Sequence, residues 1–315
     1  MDNNSSENNE TKTKPAAGAK KRPGRPCLIQ KKEIIERKGI VNTPTFNSNL
    51  MELVYDGPLV FKKIFNLFKL MDVKEIKMSF MQDHVDIITT DHLQKNVNHL
   101  QIDCSKLIHY YCSYPITITL NAKNIEKVIQ KLDKTYHTIT IISKEASYRN
   151  EILVIFRNSE IDMDEYHTIN LIETEQSEQI SCNQYNYENY PIQFQLSSKL
   201  FKKIITDVSS FSNTFTIEKI KGIALQFSCM TPEKTIKVKH IYKNEDKIKL
   251  KSTIHDDDIF SVSTKIDYIK ALSNSLIGDN INFYVDKEDD IVFKLIIDNG
   301  TFILTIYTKI IKYYN

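Results

Sequence analysis

The chain has 315 residues, 41% of them hydrophobic, a net charge of +2, 5 cysteines and no tryptophan; that allows two ordinary domains or one large one, with sizeable cores, while so balanced a charge does not by itself mark a nucleic-acid binder. No run of about 18 apolar residues occurs, which excludes a spanning helix, and the polar, acidic opening Met1–Glu10 is unlike a signal peptide. The cysteines (Cys27, Cys104, Cys112, Cys182 and Cys229) are odd in number and never form a CxxC pair, so they read as reduced intracellular thiols rather than a disulfide frame or zinc site.

Residues 1–48 read as a disordered basic arm. They are rich in Asn, Ser, Lys, Gly and Pro and hold too little apolar surface to offset the entropy of ordering, with Ile34 and Ile35 able at most to nucleate a short helix. From Leu50 a pattern of strand, helix and three strands recurs four times. The first unit has a strand at Leu50–Tyr55 and a helix to about Leu70, with Asp56 as its expected cap and Pro58 in its first turn. Strands are expected near Glu75–Met81, Val85–Thr90 and Val97–Asp103.

The second unit has a strand at Ile116–Leu120 and a helix over 121–134 capped by Asn121. Its Ile125, Val128, Ile129 and Leu132 fall at i, i+3, i+4 and i+7, one helical face. Strands follow near His137–Ser143, Glu151–Arg157 and Glu165–Leu171. A polar stretch, 173–189, reads as a connector. The third unit runs from Ile192–Leu196 through a helix capped by Ser197 to strands at Thr214–Glu218, Ile223–Cys229 and Thr235–Tyr242, the first two joined by a turn at Lys221–Gly222. Residues 243–257 read as a loop or insertion. The fourth unit has a strand at Asp258–Ser263, a helix over 264–275 and strands at Ile281–Asp286, Ile291–Asp298 and Thr301–Thr308, with a tight turn at Asn299–Gly300.

Charge is segregated among these elements. The four helices hold twelve lysines (among them Lys62, Lys63, Lys69, Lys127, Lys131, Lys202, Lys203 and Lys265) against four acidic residues, a net +8. Residues 1–45 carry a net +5, which leaves −11 on the rest of a chain whose total is +2. If the helices share one surface, it reads phosphate through lysine point charges, without sequence information. Lysines on exposed helix faces can also serve only solubility.

Catalytic patterns are absent. No phosphate-binding loop, GxSxG or HExxH occurs, and the spacing of His84, His92, His99, Cys104 and Cys112 fits no zinc pattern. Those residues read as ordinary strand positions, and Asp256–Asp258 as a solvated loop. Neither a cofactor nor a metal is expected, and no enzymatic activity.

Several blocks resemble a known family, the sliding clamps called proliferating cell nuclear antigen (PCNA), and above all the divergent clamp-like proteins of large DNA viruses of the African swine fever virus kind. GPLVFKKIFNLFKLMDVKEI (57–76) resembles a clamp's first inner helix, with Lys62, Lys63 and Lys69 at its basic positions. VDIITTDH (85–92) is similar to the strand that follows, and ITLNAKNIEKVIQKLDKTYHTITI (118–141) to the second helix and its strand, with Lys127 and Lys131 among the DNA-facing residues. ENYPIQFQLSSKLFKKIITDVSSFSNTFTIEKIKGIALQFS (188–228) resembles the start of the second clamp domain. In the viral proteins, RPGRP (22–26) and ERKGI (36–40) recur before the first strand.

The resemblance implies an α+β DNA clamp fold. Two similar domains, 49–172 and 190–315, would each hold two strand–helix–three-strand units, and subunits would pair edge to edge into a homotrimeric ring. The edge strands would be near Glu151–Arg157 and Thr235–Tyr242. It further implies a processivity factor holding a viral DNA polymerase, with other replication and repair proteins, on double-stranded DNA in the host cytoplasm or nucleus. A groove for partner peptides would draw on Tyr185, Tyr187, Ile310 and Ile311, although the connector and the KIIKYYN terminus depart from the cellular pattern. A clamp-like viral late transcription factor and a non-ring DNA-binding virion protein are the alternatives. KKRPGRP (20–26) resembles an AT-hook, in which Arg22 and Arg25 would enter an A·T minor groove; a generic basic run is the other reading of that segment.

Overall fold

A computed structural model describes residues 37–91, 96–172, 186–221, 224–230, 237–243, 248–255, 257–275, 277–287 and 291–310. Its first half runs β1 (Asn49–Tyr55), α1 (Pro58–Leu70), β2 (Val73–Phe80), β3 (His84–Asp91), β4 (Asn96–Asp103), β5 (His109–Cys112), β6 (Ile116–Asn121), α2 (Ala122–Ile129), β7 (Thr138–Lys144), β8 (Glu151–Asn158) and β9 (Met163–Asn170). The second half repeats that order with β10 (Ile192–Ser197), α3 (Ser198–Ser209), β11 (Thr214–Ile220), β12 (Ala224–Met230), β13 (Lys237–Lys243), β14 (Lys249–Ser252), β15 (Phe260–Lys265), α4 (Ile266–Ser275), β16 (Asn280–Val285), β17 (Ile291–Ile297) and β18 (Phe302–Thr308).

The strands form three sheets. A five-stranded sheet has the order β5-β1-β7-β8-β9, a four-stranded sheet β13-β12-β11-β15, and a nine-stranded sheet β14-β10-β16-β17-β18-β4-β3-β2-β6. The nine-stranded sheet is a composite. Its first five strands are the second-half counterparts of the five-stranded sheet, and its last four are the first-half counterparts of the four-stranded sheet. The joint is an antiparallel pairing of β18 with β4, from Phe302↔Ile102 to Thr308↔Asn96.

Each helix is fixed by local chemistry. Asn121 and Ser197 cap α2 and α3, their side chains accepting from Lys123 N–H and Leu200 N–H. α1 begins instead at Gly57, with Pro58 in its first turn and no side-chain cap. A Cβ at Gly57 would lie 2.5 Å from the Tyr55 hydroxyl, so glycine is required by that close approach. Asp56, the expected cap, instead receives the Arg37 guanidinium at 3.1 Å. The packed faces of α1 (Phe61, Ile64, Phe65, Phe68) and α3 (Phe201, Ile204, Ile205, Val208) are buried in a continuous core with Phe283, Phe293 and Phe302.

The structure departs from the sequence reading at several places. β5 and β14 are additional strands, and β14 lies inside the 243–257 stretch read as a loop. α2 stops at Ile129 rather than near 134, because the chain tightens there into Lys131 N–H to Val128 C=O and Leu132 N–H to Ile129 C=O bonds. α4 starts at Ile266, so Lys265 ends a strand. The strand at Glu151–Arg157 is not an edge: β8 pairs with β7 on one side and β9 on the other, which makes β9 the edge. Among the described residues β13 pairs with β12 alone and is an edge, as expected. Gly222 lies outside the described residues.

Residues before β1 are anchored onto the first sheet. Lys38 N–H bonds Ile108 C=O, Val41 N–H bonds Tyr110 C=O, and Tyr110 N–H bonds Gly39 C=O, so this segment lies along β5. Gly39 has φ +63° there, and a Cβ would sit 2.8 Å from the Ser105 carbonyl oxygen. Glu52, 2% exposed, holds the next turn. It accepts Thr45 N–H at 2.9 Å, Thr45 Oγ1–H at 2.8 Å and Asn49 Nδ2 at 2.6 Å, and it faces His109 Nε2 at 2.7 Å.

Candidate nucleic-acid interface and open sheet edges

The helices pack in a continuous row, α2–α1–α4–α3. Their apolar faces enter the core, so the opposite faces form one surface. Lys63, Lys123, Lys127, Lys199, Lys203 and Lys270 are exposed on it, with Lys265 at the foot of α4. Lys63, Lys127 and Lys203 make no ion pair among the described residues. Acidic neighbours are partly engaged: Lys69 holds Glu126 at 2.5 Å, and Asp207 stands 3.5 Å from His240. Hydrogen bonds from Thr135 hold the Asp133 carboxyl below the usual range. Asp267 is exposed on α4 as well, and the surface is net positive because the four helices carry nine lysines against three carboxylates.

Lysines expected to be equivalent are not. Lys62 is half-buried, and its Nζ donates to Gln130 C=O at 2.8 Å and Leu132 C=O at 2.6 Å. It closes the frayed end of α2 with a cation, where the helix dipole favours one, beside a side-chain hydrogen bond between Gln130 and Asn66. Lys131 pairs with Glu165 at 3.2 Å, and Lys202 is half-buried. Lys62→Met should therefore lower stability by about 1–2 kcal/mol, the cost of uncapped carbonyls, and leave DNA affinity within about twofold. Urea midpoints with parallel binding isotherms check this; an affinity loss without a stability loss would return Lys62 to the phosphate-binding group.

The free edges β9 and β13 differ in character. β9 reads MDEYHTIN and follows a turn with Glu160 and Asp162, whereas β13 reads KVKHIYK. Ile161, Met163 and Tyr166 are exposed beside the first edge, and Met230 and Ile241 at the second. Glu165 accepts the Tyr136 hydroxyl at 2.5 Å, a bond that holds the carboxyl below its ordinary range and pushes the phenol up to about 12. Burial, aided by Lys131, lowers His167 below the ordinary imidazole range. His240 Nε2 is buried and makes no hydrogen bond.

The other expected residues are dispersed. Tyr187 packs edge-on against Tyr284 and Tyr307, with Lys294 Nζ 5.6 Å above its ring, in a cluster with Tyr190 and Val292. Ile310 packs on the main core. Tyr185, Ile311, Arg22, Arg25, His92 and Asp256 lie outside the described residues. His84 and His99 converge on Asp86, at 3.2 and 2.8 Å. Burial pushes the Asp86 carboxyl up, but the two imidazoles outweigh it and hold it below its usual range. Among the described residues no group of His, Cys, Asp and Glu could hold a metal ion, and no helix is long and apolar enough to cross a membrane.

Residues 50–179 match the family model described as proliferating cell nuclear antigen, N-terminal domain. Uncharacterized proteins of African swine fever virus isolates from Kenya and Namibia are 28% identical over 277 residues, covering 86% of this chain and 92% of each relative. The crystal structure of the proliferating cellular nuclear antigen from Entamoeba histolytica superposes with a TM-score of 0.71 at 15% identity, over 84% of this chain and 100% of that one.

Proposed function

We propose that this chain, a PCNA-like clamp, joins two further copies in a closed ring around duplex DNA and tethers a DNA polymerase to its template. Clamps of this kind are non-enzymatic scaffolds, and the mechanism needs no bond chemistry. Topological linkage raises the effective concentration of a weakly bound enzyme beside the template, while helix lysines hold the phosphate backbone without reading sequence. The relatives in African swine fever virus support a viral setting for the clamp.

One observation carries the ring. The chain already makes the β18–β4 joint internally, and the strands in the same two places elsewhere, β9 and β13, are free edges among the described residues. Pairing β9 of one copy with β13 of the next would turn a five-stranded and a four-stranded sheet into a second nine-stranded one. It would cover two unpaired edges that are otherwise an aggregation hazard, match an acidic strand to a basic one, and bury Ile161, Tyr166 and Ile241. The contact is head-to-tail, so it closes into a ring when its rotation closes.

Solution mass at low micromolar concentration should be that of three chains. Polymerase stimulation should persist on closed-circular templates and decay on linear ones, whose free ends release a ring. A monomeric mass together with equal stimulation on both templates would exclude the reading.

A further inference from the structure

The internal joint also fixes which residues would meet across the seam between copies. In the chain, Leu304 of β18 stands opposite Leu100 of β4. The β17–β18 hairpin closes at Ile297↔Phe302 and the β8–β9 hairpin at Asn158↔Met163, with turns of equal length, so Met163 takes the place of Phe302 and Glu165 that of Leu304. On the other side, Leu100 is reached from Ile118 through Met78 and Ile87. His240 is reached from Val262 through Ile217 and Phe227. Ile118 and Val262 sit at the same distance before the ends of β6 and β15, where the chain enters α2 and α4, so His240 takes the place of Leu100.

Where two leucines meet inside the chain, a carboxylate and an imidazole would meet between chains. Both are turned toward the helix side of their sheets, Glu165 toward Lys131 and Tyr136, His240 toward Asp207 of α3. Next to them, Tyr166 (62% exposed) would lie opposite Lys239.

We propose that two copies join in this register, that Glu165 of one copy pairs with His240 of the next in a desolvated seam, and that proton uptake by His240 tightens ring closure. The proposal rests on the ring reading above. The groups around His240 are Asp207 from α3, Lys239 and Tyr242 on its own strand, and Cys229 on β12; the next copy adds Glu165, with Lys131, Tyr136 and His167 behind it. His167 already has Glu165 beside it in the single chain at 3.0 Å, whereas His240, which faces Asp207 at 3.5 Å, gains Glu165 as a second carboxylate on assembly. A cation that gains an anionic partner takes up a proton as it binds. The seam is therefore strongest below the ordinary imidazole range, near about pH 6.5, and weakens as pH rises through the assembled value.

The test uses the full chain, with its association measured by sedimentation at about pH 6 and about pH 8. The dissociation constant per seam should be about tenfold larger at the higher pH, and His240→Gln and Glu165→Gln should each be nearly flat. A wild-type constant unchanged between the two pH values, or a slope that survives in His240→Gln, overturns the proton linkage. The register is tested separately with Tyr166→Cys/Lys239→Cys, which oxidised glutathione should link into covalent multimers while neither single variant does so. A ring that forms without that link overturns the register and leaves the ring standing. A chain monomeric at both pH values overturns the ring and this inference together.

Discussion

Lys63→Glu, Lys127→Glu and Lys203→Glu combined should lower affinity for duplex DNA by about 100-fold or more at about 0.1 M salt. These three are exposed on α1, α2 and α3 and have no carboxylate partner among the described residues, so their charge is available to phosphate. Each neutralised phosphate contributes roughly 0.9 to the slope of log K against log salt, so the slope should fall by about 3. Folding should be unaffected, because exposed helix lysines each contribute only about 0.5 kcal/mol or less. Fluorescence anisotropy across a salt series reads both quantities. An unchanged slope would assign DNA contact to another part of the chain, with the residues around Arg22 and Arg25 the next to substitute.

Glu52→Ala should destabilise the fold by about 3–5 kcal/mol, the usual cost of removing one partner from a buried charged network. The side chain is the common acceptor for Thr45, Phe46 and Asn49 and lies within hydrogen-bond reach of His109 Nε2, so its loss leaves several buried partners unpaired at once. Burial pushes the Glu52 carboxyl up, but the hydrogen bonds from Thr45, Asn49 and Phe46 outweigh burial and hold it below the ordinary glutamate value of 4.5. A depressed folded value means the stabilisation is complete above about 4.5 and disappears as pH falls through the folded value. Wild type should thus lose stability over that acid range more steeply than Glu52→Gln. Urea melts from neutral pH down to about pH 3 measure the difference; parallel wild-type and Glu52→Gln curves would show that another carboxylate governs acid unfolding.

Helices and caps were the most readable features of the sequence, because their signals are local. The α2 and α3 stripes and the caps Asn121 and Ser197 are written in spacing and side-chain type. Asp56 misled for a local reason: an acidic residue before Pro58 has the look of a cap, and only the fold brings Arg37 to it from 19 positions away. β5 and β14 are too short, at 4 residues each, to display an alternation. Which of β8 and β9 is the edge depends on sheet order, which periodicity does not encode, and the apolar β8 looks more like a strand needing a partner than MDEYHTIN does. Lys62 and Lys63 are adjacent and chemically identical, yet a 100° step around α1 turns one onto the end of α2 and the other to solvent. The tyrosines near the connector carried no signal separating packing from a groove.

None of the five arginines, at 22, 25, 37, 149 and 157, lies in a helix of the row. A guanidinium fork locks onto one phosphate in a fixed geometry, whereas an ammonium exchanges partners with little angular cost. In the proposed ring, the energy along the duplex axis would therefore be low in roughness: each phosphate leaving one lysine is met by another, with no bidentate grip to break. Friction of the ring on DNA would then be set mainly by hydrodynamic drag as it follows the helical pitch. Replacing a few of these lysines by arginine would deepen the corrugation and slow one-dimensional diffusion without changing net charge.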